Sequence, residues 1–106
     1  MVHRLLVQYG RPTDPEEFDR HYRDVHVGVV QAVPGLVRFT VGHPRSLDRD
    51  TPAPYVVAEL DFESAEAMRE ALRTDAGVAM AADVGTFATG GTTMSRFDVD
   101  DVSPAR

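Results

Sequence analysis

Hydrophobic and polar residues alternate along four short stretches of the chain, which is the period of a β-strand that buries one face. In the first stretch Val7 and Tyr9 share a face with His3, and the residues between them are mostly polar. Each strand should therefore have an apolar face that meets the helices and a mixed face on the other side. The predicted strands are Val2–Tyr9, Leu36–His43, Tyr55–Phe62 and Gly91–Val99.

The mixed faces of these strands leave two possibilities open. Solvent can cover them, because an antiparallel sheet tolerates one wet face. Alternatively, two such sheets meet in a homodimer and pair arginines with carboxylates across the interface, which three apolar side chains on the same faces favour. The polar residues assigned to the mixed faces are Arg4, Gln8, Arg38, Thr40, Glu59, Asp61 and Arg96. The apolar ones are Leu6, Val57 and Met94.

A long helix is predicted between the first two strands. Asp14 is the expected N-cap, Pro15 suits the first turn because its missing N–H costs nothing there, and Glu17 would complete a capping box. The sequence "PGL" should end the helix after about Val33. With about 100° per residue, a single apolar stripe is expected along this helix. Its members are Phe18, Tyr22, Val25, Val29 and Val33.

A second helical region is predicted ahead of the last strand. Ser64 is its N-cap candidate, "AEAMREALRT" supplies good helix formers, and another short helix is expected after a kink at Gly77. The element order is β-α-β-β-α-β, which predicts an α+β fold of ferredoxin-like type with a four-stranded antiparallel sheet. Residues 1–99 form the predicted domain, and residues 100–106 form a flexible C-terminal tail.

Composition excludes several classes of function. The net charge is −6, and the eleven basic residues are arginines scattered from Arg4 to Arg106, so nucleic acid is not an expected partner. The chain has no cysteine, which excludes zinc–thiolate sites and thiol nucleophiles and fits the cytoplasm as the expected location. No run approaches the roughly 18 apolar residues of a membrane helix, so no membrane association is expected.

The two histidines of "FDRHYRDVH" are five residues apart on the predicted helix. Helical metal ligands are usually spaced i,i+4, so that both point at one ion. A spacing of five turns His26 about 140° away from His21, which predicts opposite edges of the apolar stripe, different roles and no shared metal ion. His21, which is near Asp24, is interpreted as structural or interfacial.

His26 is the candidate general acid or base, with Tyr22 one turn earlier to orient it or to contact a substrate. The competing interpretation is a histidine at the edge of the core that is bonded only to backbone. A pocket is expected beside this helix, because the last helix is rich in alanine and glycine and would leave space. Its predicted lining is Met80, Asp83, Phe87, Phe39 and Tyr9.

Four pieces of the chain together resemble the EthD family of the dimeric α/β-barrel superfamily. They are "LLVQYGRPTDPEEFDRHYRDVH", "VPGLVRFTV", "YVVAELDFESAEAMREAL" and "FATGGTTM", in the family's order. The HYxxxH cluster followed by "PGL" is the most specific part. The resemblance implies a ferredoxin-like protomer with a pocket between helices and sheet, and a homodimer in which two sheets pair face to face.

The resemblance also limits the expected chemistry. EthD members are sometimes labelled reductases, and the superfamily includes cofactor-independent monooxygenases, polyketide cyclases, lactone isomerases and haem-degrading enzymes. One departure is Gly28, which stands where the family commonly has proline and is expected to give the pocket its own shape.

The expected function is a cofactor-independent enzyme that acts on a small apolar or aromatic metabolite by proton transfer, leading to isomerisation, cyclisation or oxygenation. The alternative is a non-catalytic binding or accessory protein of a catabolic or biosynthetic pathway. A third possibility is a haem-binding protein with His26 as an axial ligand. No cofactor is expected, since the chain lacks a dinucleotide fingerprint.

Overall fold

A computed structural model describes residues 1–105 of the chain. Four strands form one antiparallel sheet in the order β2-β3-β1-β4. This arrangement confirms the predicted ferredoxin-like α+β fold. Residues 100–105 carry no regular secondary structure, and Arg106, the last residue of the predicted tail, lies outside the described residues. The strands are β1 His3–Tyr9, β2 Arg38–Gly42, β3 Val56–Phe62 and β4 Thr92–Asp98.

Helices cover one side of this sheet. The N-cap of the first helix is Asp14, as predicted, and its carboxylate accepts a hydrogen bond from the N–H of Glu17 at 3.2 Å. The predicted capping box is not completed, because the carboxylate of Glu17 pairs with Arg20 instead. The helical segments are α1 Pro15–His21, a π-helical turn Tyr22–His26, α2 Val27–Gln31, α3 Ala65–Arg73 and α4 Asp75–Phe87.

The π-helical turn corrects the predicted apolar stripe. In this turn the N–H of Val27 bonds to the carbonyl of Tyr22, five residues back, so one extra residue is accommodated per turn. The residues that follow are rotated relative to a regular α-helix. Val25, predicted to face the core, is 43% exposed, whereas His26 is only 2% exposed. The wide turn therefore buries the histidine that a regular helix would leave at the edge.

The second helical region breaks at Thr74 and not at the predicted Gly77. The Thr74 hydroxyl donates to the carbonyl of Ala71 at 2.6 Å and accepts from the N–H of Gly77 at 3.1 Å, so one side chain ends α3 and caps α4. Gly77 is buried in the first turn of α4, where a Cβ would collide with the carbonyl oxygen of Ala71. Glycine thus permits the close approach of α3 and α4.

Strand register corrects two of the predicted face assignments. Met94 pairs with Val7, and Arg96 pairs with Leu5, so both lie on the helix-covered face and not on the mixed face. On that face His3 is buried and bonds to the carboxylate of Asp98 at 2.8 Å. The predicted alternation within β4 is present, but the face of β4 predicted to meet the helices is the opposite one.

The opposite face of the sheet carries a buried carboxylate. Arg4 binds both oxygens of Asp61, at 2.7 and 3.0 Å, and also contacts Glu59 at 2.8 Å. These pairs form within one protomer, so the ion pairs of Arg4 do not require a dimer partner. Leu6 and Val57 are half-buried on the same face, as predicted.

Within residues 1–105, the helices are too short or too polar to cross a bilayer.

Candidate functional site

A cavity of about 180 Å³ lies between the helices and the sheet. It is close in size to an apolar cavity of roughly 150 Å³ that binds benzene, and it is smaller than the roughly 300 Å³ of a typical drug-sized pocket. Its polar side chains are Tyr9, Tyr22 and His26, and the rest of its wall is apolar. The apolar wall includes Leu5, Val7, Val30, Leu60, Met80 and Val84.

His26 connects this cavity to a carboxylate on the neighbouring helix. Its Nδ1 lies 2.7 Å from Oδ2 of Asp83. Because a carboxylate accepts hydrogen bonds, Nδ1 carries the proton and Nε2 is the acceptor in neutral His26. Nε2 has no hydrogen-bond partner among the described residues, and His26 lines the cavity. This arrangement differs from the competing interpretation, in which His26 bonds only to backbone.

His21 binds the same carboxylate. Its Nε2 lies 2.9 and 3.1 Å from the two oxygens of Asp83. The prediction that His21 and His26 lie at opposite edges of the helix is therefore wrong. The reason is the π-helical turn Tyr22–His26, which brings residues five apart onto one side of the helix.

The pKa values of the pair reflect opposing effects. Burial lowers the pKa of His26, and the hydrogen bond to Asp83 only partly opposes this. Burial acts to raise the pKa of Asp83, but the hydrogen bonds from His26 and His21 outweigh it, so this pKa lies below its usual value. At neutral pH the site therefore holds a neutral imidazole against an ionised carboxylate.

Tyr22 contributes an unpaired hydroxyl at the cavity. The side chain is 7% exposed, and its hydroxyl has no hydrogen-bond partner among residues 1–105. Burial raises the pKa of Tyr22 to about 12, so the hydroxyl keeps its proton at neutral pH. Burial also raises the pKa of the neighbouring Tyr9. A buried donor without a partner costs about 1–3 kcal/mol, which a polar ligand atom can recover.

The predicted pocket residues fall into two groups. Met80, Phe39 and Tyr9 line the cavity. Phe87 and Asp83 do not; they lie behind His26, where the Phe87 ring packs against the imidazole at a centroid distance of 4.7 Å. These two residues hold His26 in place and do not form the wall itself.

Gly28 does not shape the cavity, contrary to the prediction. It is exposed, and a Cβ added there would meet nothing within 4 Å. The side chains that the sequence did not assign to the cavity include Leu72 and Met94, which the fold of α3 and the register of β4 bring there. The position of Met94 depends on which face of β4 meets the helices, which local alternation does not determine.

The described residues hold no cluster of three or more histidine and acidic side chains arranged to bind a metal ion. The two histidines and Asp83 are instead joined by hydrogen bonds of 2.7–3.1 Å.

Comparison with known proteins places the chain in a family. The family model described as an EthD domain matches residues 10–91. The chain belongs to the EthD family. A protein of Rhodococcus erythropolis, described as an uncharacterized 11.0 kDa protein in the thcB-thcC intergenic region, is 41% identical to this EthD protein over 103 residues, which cover 97% of this chain and 100% of the relative.

Solved structures share the fold. An ethyl tert-butyl ether D (EthD) family protein from Bacillus halodurans has a TM-score of 0.88 and 27% identity, covering 94% of this EthD protein and 100% of that chain. A dimeric ferredoxin-like protein of unknown function from Thermobifida fusca has a TM-score of 0.71 at 13% identity, with 93% and 92% covered. SnoaB from Streptomyces nogalater, a cofactor-independent oxygenase, has a TM-score of 0.64 at 20% identity, with 98% and 97% covered. The predicted family resemblance is confirmed.

Proposed function

We propose that this EthD protein is a cofactor-independent enzyme that transfers a proton from a small apolar or aromatic molecule held in the cavity. His26 is the general base, and Tyr22 stabilises the anion that forms. The observation that carries the proposal is the Asp83 carboxylate, which binds Nδ1–H of His26 at 2.7 Å and leaves Nε2 available at an apolar cavity. Isomerisation, cyclisation and oxygenation all begin with such a transfer.

In the first step Nε2 of His26 takes a proton from an acidic O–H or C–H bond, and the bonding electrons stay on the ligand as a phenolate or enolate. The imidazolium then faces the carboxylate of Asp83, which remains ionised and stabilises it. His21 also binds this carboxylate and restrains it. In an isomerisation the proton returns to a different atom of the ligand. In an oxygenation molecular oxygen is the oxidant that accepts electrons from the ligand anion.

The hydroxyl of Tyr22 is suited to stabilise this anion. It is protonated, buried and without a partner among the described residues. A donor fixed in a water-poor site stabilises a developing oxyanion without having to reorient. The same hydroxyl bonds less strongly to a neutral ligand, so it favours the charged state of the reaction.

The size of the cavity selects the ligand. About 180 Å³ accommodates a single ring with a few substituents. This volume argues against a haem group bound by His26, since the macrocycle contains four pyrrole rings. The likeness to SnoaB supports the class of cofactor-independent chemistry at the level of fold and does not transfer that protein's substrate.

A deuterium-exchange assay tests the proposed function. Single-ring ketones, such as cyclohexanone and acetophenone, are incubated with the protein in D₂O, and exchange of the C–H positions next to the carbonyl is followed by NMR. We expect accelerated exchange for at least one ligand whose binding perturbs the signals of Met80. A ligand that binds there and presents an acidic C–H, yet exchanges at the uncatalysed rate, would instead support a non-catalytic binding protein.

We also propose that the protein forms a homodimer through the uncovered sheet face. Leu6 and Val57 are half-buried there, and Phe97 is 42% exposed on the same face. The dimeric ferredoxin-like relative supports this arrangement at the level of fold. Light scattering at micromolar concentration is expected to give twice the protomer mass of 11.6 kDa. A single protomer mass at that concentration would contradict the proposed interface.

A further inference from the structure

A second recess of about 510 Å³ adjoins the cavity. Leu5, Leu72 and Met94 line both spaces, so one apolar wall is continuous from the cavity into the recess. A ligand that fills the cavity can therefore extend into the recess along this wall. The recess differs from the cavity in that three of its lining residues are arginines, which we call the arginine recess; they are Arg69, Arg73 and Arg96.

The three arginines of the arginine recess carry positive charge that no neighbouring carboxylate among the described residues pairs with. The protein carries a net charge of −6, yet no carboxylate of residues 1–105 forms an ion pair with Arg69, Arg73 or Arg96. Arg69 and Arg73 are spaced i,i+4 on α3, where like charges destabilise a helix by a few tenths of a kcal/mol. An anion between them would reverse this cost.

Neighbouring acidic residues do not neutralise the recess. Glu66 and Glu70 lie on the same helix but do not line the recess. With about 100° per residue, Arg69 and Arg73 lie closer to the inward-facing Leu72 than either glutamate does. All four side chains are exposed on α3, but only the two arginines line the recess.

A buried histidine positions the third arginine. His3 is 4% exposed, and its Nδ1 lies 2.8 Å from Oδ1 of Asp98, which makes Nδ1 the protonated nitrogen. The other nitrogen, Nε2, accepts from a guanidinium N–H of Arg96 at 3.3 Å. Asp98 thus bonds to His3 and not to Arg96, so most of the N–H donors of Arg96 remain available.

We infer that the arginine recess binds the carboxylate of a ligand whose apolar ring occupies the cavity. The substrate class is then a small aryl or cycloalkyl carboxylic acid with a short spacer between ring and carboxylate. Guanidinium groups suit this task because their planar N–H pairs match the two oxygens of a carboxylate. The inference rests on the proposed function for the ring and its proton transfer, and it adds the recognition of the anionic end.

Binding of a homologous series tests the recess. Benzoate, phenylacetate, 3-phenylpropionate and 4-phenylbutyrate are titrated by calorimetry beside their neutral amides, with acetate and inorganic phosphate as anions without a ring. We expect one spacer length to give a preference of about tenfold or more for the acid over its amide, since hydrogen bonds to charged groups contribute roughly 1.5–3 kcal/mol. Acetate and phosphate should bind at least tenfold more weakly than that acid.

Matched variants distinguish the effect of the recess on ligand binding from the effect of the protein's net charge. The double variant Arg69→Gln/Arg73→Gln is expected to lose the acid preference and to keep its affinity for the amide. Arg45→Gln/Arg49→Gln changes the net charge equally, in an exposed loop remote from the recess, and should retain the preference. Arg96→Gln is a second test on β4, and thermal unfolding checks that each variant is folded.

Each result has one meaning. An acid that binds no better than its amide at every spacer length would overturn the inference, and so would an equal loss in the Arg45/Arg49 control. Acetate or phosphate binding as tightly as the best acid would show an anion site that is not connected to the cavity, which also overturns it. Acid preference without deuterium exchange would remove only the proposed catalytic function.

Discussion

Replacing His26 with glutamine is expected to slow proton transfer by about 10²–10⁴-fold while ligand affinity changes by less than about threefold. Glutamine keeps most of the volume and a donor for Asp83 but cannot accept the proton. The loss should therefore appear in kcat and not in KM. The exposed His43 supplies the matched control, since His43→Gln removes an imidazole outside the cavity and should leave the rate unchanged.

The Asp83→Asn variant gives a pH signature that a purely structural role would not produce. Burial lowers the pKa of His26 and Asp83 partly opposes this, so the active neutral base should persist below pH 6.5, the usual pKa of histidine. Removing the carboxylate removes the hydrogen bond and the negative charge that stabilise protonated His26. The pKa of His26 then falls further, so the acidic limb of the kcat/KM profile should move to lower pH while its plateau falls. An acidic limb at the same pH in both proteins would show that Asp83 does not act on His26.

Replacing Arg4 with methionine is expected to lower the free energy of unfolding by roughly 3 kcal/mol. The side chain of Asp61 is only 7% exposed, and Arg4 supplies both of its short contacts, so the substitution leaves a buried charge without a partner. The expected loss of stability is at the low end of the roughly 3–5 kcal/mol found for broken buried ion pairs, because the side chain of Arg4 is itself 26% exposed. Urea denaturation measures the change.

Two further variants decide how the Arg4 result is interpreted. Arg38 is directly opposite Asp61 in the sheet but makes no ion pair with it, so Arg38→Met should cost less than about 0.5 kcal/mol. The double variant Arg4→Met/Asp61→Leu should recover most of the loss, because no buried charge remains. Equal losses for Arg4→Met and Arg38→Met would mean that the buried pair is not the source of the effect.

The fold could be predicted from the sequence because each element carries its own local signal. Alternating strands, the N-caps at Asp14 and Ser64 and the "PGL" stop all act within a few residues, and the structure contains each of them. The break between α3 and α4 lies at Thr74 and was predicted at Gly77. The sequence offers both a threonine that can cap a helix and a glycine that can interrupt one, and it does not indicate which of them does so.

The site was only partly predictable because it depends on a change of helical period. Five residues are buried between Phe18 and Val33. The first four are spaced by four residues, and they are Phe18, Tyr22, His26 and Val30. A regular α-helix drifts along such a series, so the α-helical period favoured Val25 over His26. The π-helical turn absorbs the drift, and only then do both histidines reach Asp83. A helical wheel assumes about 100° per residue throughout, and the π-helical turn departs from this value.

The hydrogen bonds from His21 and His26 to Asp83 also join α4 to the first helical region. The proposed proton transfer and the packing of the helices therefore depend on the same contacts. In the proposed reaction His26 takes up a proton, and its hydrogen bond to Asp83 becomes charge-assisted and shorter. We therefore expect the contact between the helices to be stronger while the ligand anion is present. This contact weakens again when the proton leaves His26. The contact between α4 and the first helical region is therefore expected to depend on the protonation state of His26.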